Sequence, residues 1–119
     1  MIDQIALKVS TMIDSPACIS PDDGRYVYTK IEQLMRDEKN ITVSFENATM
    51  LTSLFLSVAI GQLHGTFDEQ TIRNQLRVEG LVLDGRELLK RVVDNAKTYN
   101  SNKEAYDAAL KKQEDENEE

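Results

Sequence analysis

ITVSFENATMLTSLFLSVAIGQL, residues 41–63, passes from a short strand through a polar turn into an almost wholly apolar segment. Ile41, Val43 and Phe45 alternate with Thr42 and Ser44, the period of two that a half-buried strand requires. Glu46-Asn47 supplies turn chemistry. Across residues 54–63 only Ser57 and Gln62 interrupt the apolar surface, and Gly61 lets another element come close. A surface helix carries a polar face, so this pattern predicts a helix buried against a sheet on one side and neighbours on another, with Leu54 onward turned inward. The turn Met50-Leu51-Thr52-Ser53 puts hydroxyls where an N-cap belongs, leaving Thr52 and Ser53 at a wet rim. A helix start offers unpaired N–H groups and a partial positive charge, which attract phosphates and partner carboxylates.

Outward from this stretch, strand and helix signals alternate. Ile5, Leu7 and Val9 give a first strand over residues 4–10, and Asp14-Ser15-Pro16 is the turn of a loop or short second strand over residues 11–18. Ser20-Pro21-Asp22-Asp23 starts a helix: Ser20 caps, Pro21 suits the first helical position, and two acids meet the dipole. Val27, Ile31 and Leu34 follow as its stripe, and the helix is expected to end near Lys39-Asn40. Thr66-Phe67-Asp68-Glu69 reads as a capping box for a short helix through Ile72. Leu76 and Val78 mark another strand before Gly80. Asp84-Gly85-Arg86-Glu87 has cap-and-acid spacing, with Leu89, Val92, Val93 and Ala96 as the stripe of the helix it opens.

The β-α-β-α-β-α order predicts an α/β domain, a small mixed β-sheet flanked by helices. Residues 1–100 form that domain. Residues 101–119 are expected to add an extra C-terminal helix, with Tyr106, Ala109 and Leu110 as a narrow stripe, and a disordered acidic tail.

The formal net charge is -7, of which residues 101–119 carry -4, so the folded part is only mildly acidic. That balance disfavours bulk nucleic-acid binding. Cys18 is the one cysteine, which excludes an internal disulfide and fits a reducing compartment. The apolar run of residues 54–60 is far short of the roughly 20 residues a membrane span needs. A cytoplasmic protein is expected. His64 stands alone beside Gly65, where a helix C-terminus would favour its charged form. Asp22-Asp23 and Asp68-Glu69 look like helix starts, and the glycines form no phosphate loop.

CISPDDG at residues 18–24, the 41–63 stretch and LLKRVVDNAKTY at residues 88–99 together resemble the STAS-like domain family of unknown function. The resemblance implies the fold of anti-sigma factor antagonists and sulphate transporter tails, which has no catalytic centre of its own. It implies docking of a protein partner, such as a GHKL-type ATPase kinase or an anti-sigma-like ATPase, around the start of the helix after the central strand. In antagonists that helix opens on an Asp-Ser-Ser-Gly-like motif whose serine is phosphorylated. Here Thr52 takes the acidic position, Ser53 the first serine, Leu54 the phosphoacceptor and Phe55 the glycine. A one-residue shift would move Ser53 into the acceptor role.

The expectation is therefore a non-catalytic protein-interaction domain. Its partner-binding or phosphoacceptor residues would be Asn47, Thr49, Thr52 and Ser53. No enzyme activity, cofactor, metal, nucleic acid or membrane is implied. The alternatives are a homodimer built on the helix over residues 53–64 or on the last helix, and a thiol enzyme using Cys18.

Overall fold

The computed structural model describes residues 4–101. Three parallel strands form the main sheet in the order β1 (Gln4–Lys8), β3 (Asn40–Ser44), β5 (Leu76–Glu79), with β3 in the middle. A second, two-residue parallel ladder joins β2 (Ala17–Cys18) to β4 (Met50–Leu51). The expected α/β architecture is present, and each described ladder runs parallel.

Register turns the alternation into two chemically distinct faces. Ile5 lies beside Ile41 and Ile41 beside Leu76, while Leu7, Val43 and Val78 form the next row. On the opposite parity Ala6 aligns with Thr42 and Arg77, and Lys8 with Ser44 and Glu79. Ile41 and Val43 are buried, whereas Ala6, Arg77 and Glu79 are exposed. Parallel sheets are usually covered on both faces. This one reads, among the described residues, as one buried and one wet face.

Helix α2 (Pro21–Arg36) starts as its sequence dictates, with Ser20 Oγ accepting from the Asp22 amide at 3.2 Å, Pro21 in the first turn, and Asp22 and Asp23 at the positive end. Its buried stripe is Gly24, Val27, Ile31 and Met35. It ends earlier than expected. Glu38 adopts a left-handed φ of 61°, and the Lys39 amide bonds back to the Leu34 carbonyl at 3.0 Å, a Schellman-type stop without glycine. Gly24 brings α2 close to the helix after the central strand, α3 (Ser53–Ala59). A methyl group there would stand 3.2 Å from both the Phe55 carbonyl oxygen and Val58 Cβ.

The apolar run does not form one helix. After α3 the chain tightens into a 3-10 helix, Gly61–Gly65, which buries Leu63. Gly61 lowers helix propensity and permits contact with Val92, only 3.3 Å from where its Cβ would be. Leu54 also departs from expectation: it is 54% exposed, because a seven-residue helix turns Phe55, Leu56 and Ala59 inward and leaves Leu54 and Ser57 outside.

Three other boundaries move. β1 stops at Lys8, and Val9 is buried instead within the short helix α1 (Val9–Met12). Helix α4 (Glu69–Gln75) is capped by Asp68, not Thr66, with Asp68 Oδ1 accepting from the Thr71 amide at 2.7 Å. Helix α5 (Leu83–Ser101) starts one residue before Asp84, so Asp84 serves its first turn instead of capping it. Residues 102–119, which hold most of the expected extension and tail, lie outside the described residues.

The core gathers Ile31, Ile41, Phe45, Phe55, Leu56 and Leu63, all nearly inaccessible. Each such side chain contributes about 1.5–3 kcal/mol by leaving water. Phe45 and Phe55 bracket the stretch that carries the candidate site.

Candidate functional site

The carboxyl end of the sheet is where loops of a parallel α/β fold present ligand or partner groups. Here the loop after β3 is built largely from backbone bonds. The Phe45 amide donates to the Glu79 carbonyl at 2.9 Å, tying it to β5, and the Ala48 amide donates back to Phe45 at 3.0 Å. Asn47 holds a left-handed φ of 71°, which asparagine tolerates better than most residues. Ser10 Oγ reaches the Glu46 carbonyl at 3.3 Å from the neighbouring loop. Gly80, with φ 79°, lies so near that a Cβ there would sit 2.7 Å from the Glu46 nitrogen.

Next the chain becomes a strand where a turn was expected. The Thr49 amide donates to the Pro16 carbonyl at 2.9 Å, Met50 and Leu51 pair with Ala17 and Cys18, and the Thr52 amide donates to the Cys18 carbonyl at 3.2 Å. Alternation in this ladder puts Cys18 and Leu51 inward. Met50 on one strand and Ile19, just past the other, face outward at 56% and 40% exposure. Leu54 is exposed two residues beyond Thr52. Ile19, Met50 and Leu54 are thus three exposed apolar residues on the segments that meet at the α3 entrance. A shallow hollow of about 190 Å³ adjoins it, lined by Phe45, Thr49, Met50, Leu51, Gly80 and Leu81 among others.

The four expected site residues share this segment but not one role. Asn47, Thr49 and Ser53 are exposed. Thr52 is half-buried, and its Oγ1 is engaged by the Phe55 amide at 3.1 Å, so this hydroxyl is the helix cap. Of the apolar members, Leu54 was expected to turn inward and Met50 was read only as part of the turn, while Ile19 was not singled out from sequence. The signal that could have found them is the parity of the Met50–Leu51 pair beside Ala17–Cys18, legible only once the two segments are known to pair.

Acidic groups outnumber basic ones at this end: Asp22 and Asp23 in the first turn of α2, Glu46 in the loop, Glu79 closing β5 and Asp84 opening α5, against Arg25, which pairs with Asp22 at 3.2 Å, Lys8 in the row of Glu79, and Arg86, which donates to the Leu81 carbonyl. Cys18 is fully buried, and burial, with the Asp23 charge nearby, pushes its thiol above the ordinary range. A thiol so placed is a poor nucleophile at neutral pH. His64 also differs from expectation. Burial first, then the Lys97 ammonium, hold its pKa below the usual value, against an opposing pull from Glu69. Its neutral form is favoured. Among the described residues, no group of three or more His, Cys, Asp or Glu side chains could hold a metal ion, and no helix is long and apolar enough to cross a membrane.

Comparison with known proteins gives one firm relationship. No curated protein and no solved structure matches the chain significantly. A family model does, over residues 23–86, a segment that runs from the first turn of α2 through β3, the rim loop, α3 and β5 into α5. With more than half of its length matched, the chain belongs to the family described as the STAS-like domain of unknown function.

Proposed function

We propose that this protein is a non-catalytic regulatory domain that docks a protein partner through the α3 entrance. The observation that carries the reading is the outward face of the small ladder. Ile19, Met50 and Leu54 are exposed together at the carboxyl end of the sheet, beside the exposed polar groups of Asn47, Thr49 and Ser53. Apolar anchors inside a polar rim are the usual anatomy of a protein interface. The acids around it suit a partner with basic groups at the contact margin.

The family resemblance favours an ATPase of the GHKL kinase or anti-sigma type as that partner, in the cytoplasm, where a lone thiol stays reduced. Ser53, exposed at the first position of α3, is the hydroxyl whose phosphorylation would add about -1.5 to -2 charge beside the apolar anchors. Pull-down with a candidate GHKL-type ATPase tests the reading. Wild type should retain the partner, while Met50→Glu, Leu54→Glu and Ser53→Asp should each weaken retention at least tenfold with the fold intact. Unchanged retention by all three variants would overturn the docking surface.

Self-association is a second reading, favoured by Val82 and Leu83, which are 76% and 68% exposed where β5 hands over to α5. Sedimentation of the wild type and of Val82→Glu separates it from partner docking.

A further inference from the structure

A cavity of about 500 Å³ lies away from the docking surface, between α2, the 3-10 helix and the second half of α5. Its volume is in the roughly 300–1,000 Å³ range of small-molecule sites. Gly61 and Val92 are buried at its base, where the absence of a side chain at Gly61 lets Val92 pack close. Two phenol rings, Tyr28 and Tyr99, line it. Ser57, Gln62 and Asn95 add a hydroxyl and two carboxamides.

Charge is what makes the site selective. Of the whole chain 29% is Asp, Glu, Lys or Arg, yet none of the ten lining residues is charged. An anionic ligand would lose hydration here and meet the Glu32 carboxylate, which hydrogen-bonds the Tyr28 hydroxyl. A flat apolar ring would bury its faces against the phenols, and the carboxamides would pair with a donor–acceptor edge. Tyr28 is held in place by its hydroxyl, 2.7 Å from Thr66 Oγ1 and hydrogen-bonded to the Glu32 carboxylate. The geometry points to a binding site for a neutral, planar aromatic ligand with an amide-like edge, lodged between Tyr28 and α5. Val92, Asn95, Ala96 and Tyr99 stand outside the family-matched segment, so four of the ten lining residues belong to the chain beyond it.

Titration of the full chain with benzamide, followed by ¹H–¹⁵N spectra, tests the site, with benzoate as the charged control. Saturating shifts should concentrate on the amides of Gly61, Gln62, Gly65, Asn95 and Tyr99, and benzoate should bind at least tenfold more weakly. Ser57→Phe, which fills the cavity from an exposed position, should weaken benzamide at least tenfold while the spectrum stays dispersed. Should that variant unfold, Asn95→Leu replaces it, with the same expected loss. The proposal is overturned by shifts that fall on residues 45–54, by equal binding of benzoate, or by no response because another part of the chain fills the cavity. Broadening of the same amides with protein concentration alone would assign the cavity to a second copy and overturn it equally.

Discussion

Thr52 Oγ1 accepts the amide hydrogen of Phe55 at 3.1 Å, while Ser53, one residue on, turns its hydroxyl to solvent at the first position of α3. Adjacent hydroxyls therefore have separable duties. Thr52→Ala should cost about 1 kcal/mol of stability through loss of the cap. Ser53→Ala should stay within about 0.5 kcal/mol of wild type, as exposed substitutions do. Urea denaturation of the two variants checks the difference, and equal losses would mean that the cap has been assigned to the wrong residue.

Gly80 joins β5 to the rim loop in a conformation that L-residues resist. Gly80→Ala should cost about 1–2 kcal/mol from the left-handed backbone alone, with more from a Cβ placed 2.7 Å from the Glu46 nitrogen. The amides of Phe45 and Glu46 should shift most in the variant's spectrum. A variant as stable as wild type would show that this corner can relax freely.

Burial and the Asp23 charge both disfavour the Cys18 thiolate. Iodoacetamide should accordingly label Cys18 slowly at neutral pH, at a rate that follows opening of the fold, and rapidly in denaturant. Fast stoichiometric labelling of the native chain would revive a thiol-based chemistry.

His64 gives a pH signature of definite sign. Its folded pKa lies below the usual value of about 6.5, so at pH values between the two the unfolded chain binds the extra proton. Stability is full above about 6.5 and declines as pH falls through that value toward the folded pKa. The charged groups beside His64 are Lys97, which lowers its pKa, and Glu69, which raises it and bonds Lys97 at 2.7 Å and Arg73 at 2.9 Å. The chain has a single histidine, so one imidazole titration by NMR reads the value directly. Lys97→Met should move it upward, and a value above 6.5 in wild type would refute the assignment.

Period and capping made the main elements legible. The alternation of Ile41, Val43 and Phe45 marked the central strand, and Ser20-Pro21 marked the start of α2, because both depend on local chemistry. Val9 misled for a physical reason: burial satisfied its alternation, and a helical turn buries it as well as a strand does. Met50 and Leu51 read as a turn because a two-residue strand carries no period of its own. Their pairing with Ala17 and Cys18 comes from the Pro16 and Cys18 carbonyls, far away in sequence. Leu54 illustrates the same limit. An apolar run of ten residues looked uniformly buried, yet the helix it begins is short enough to leave one leucine facing water. Thr52 is half-buried and Ser53 exposed, and only geometry distributes their hydroxyls.

The strand order also constrains how the chain comes together. Since β1 and β3 run parallel, Gln4 pairs with Asn40 only by closing a loop that holds the whole of α2. Val43 in turn waits for Val78. Among the described residues no hairpin pairs two strands, so loop-closure entropy precedes every gain from the sheet. The packing of α2 against α3 at Gly24 joins segments nearly as far apart in sequence, so the helical layer, like the sheet, is assembled from long-range contacts.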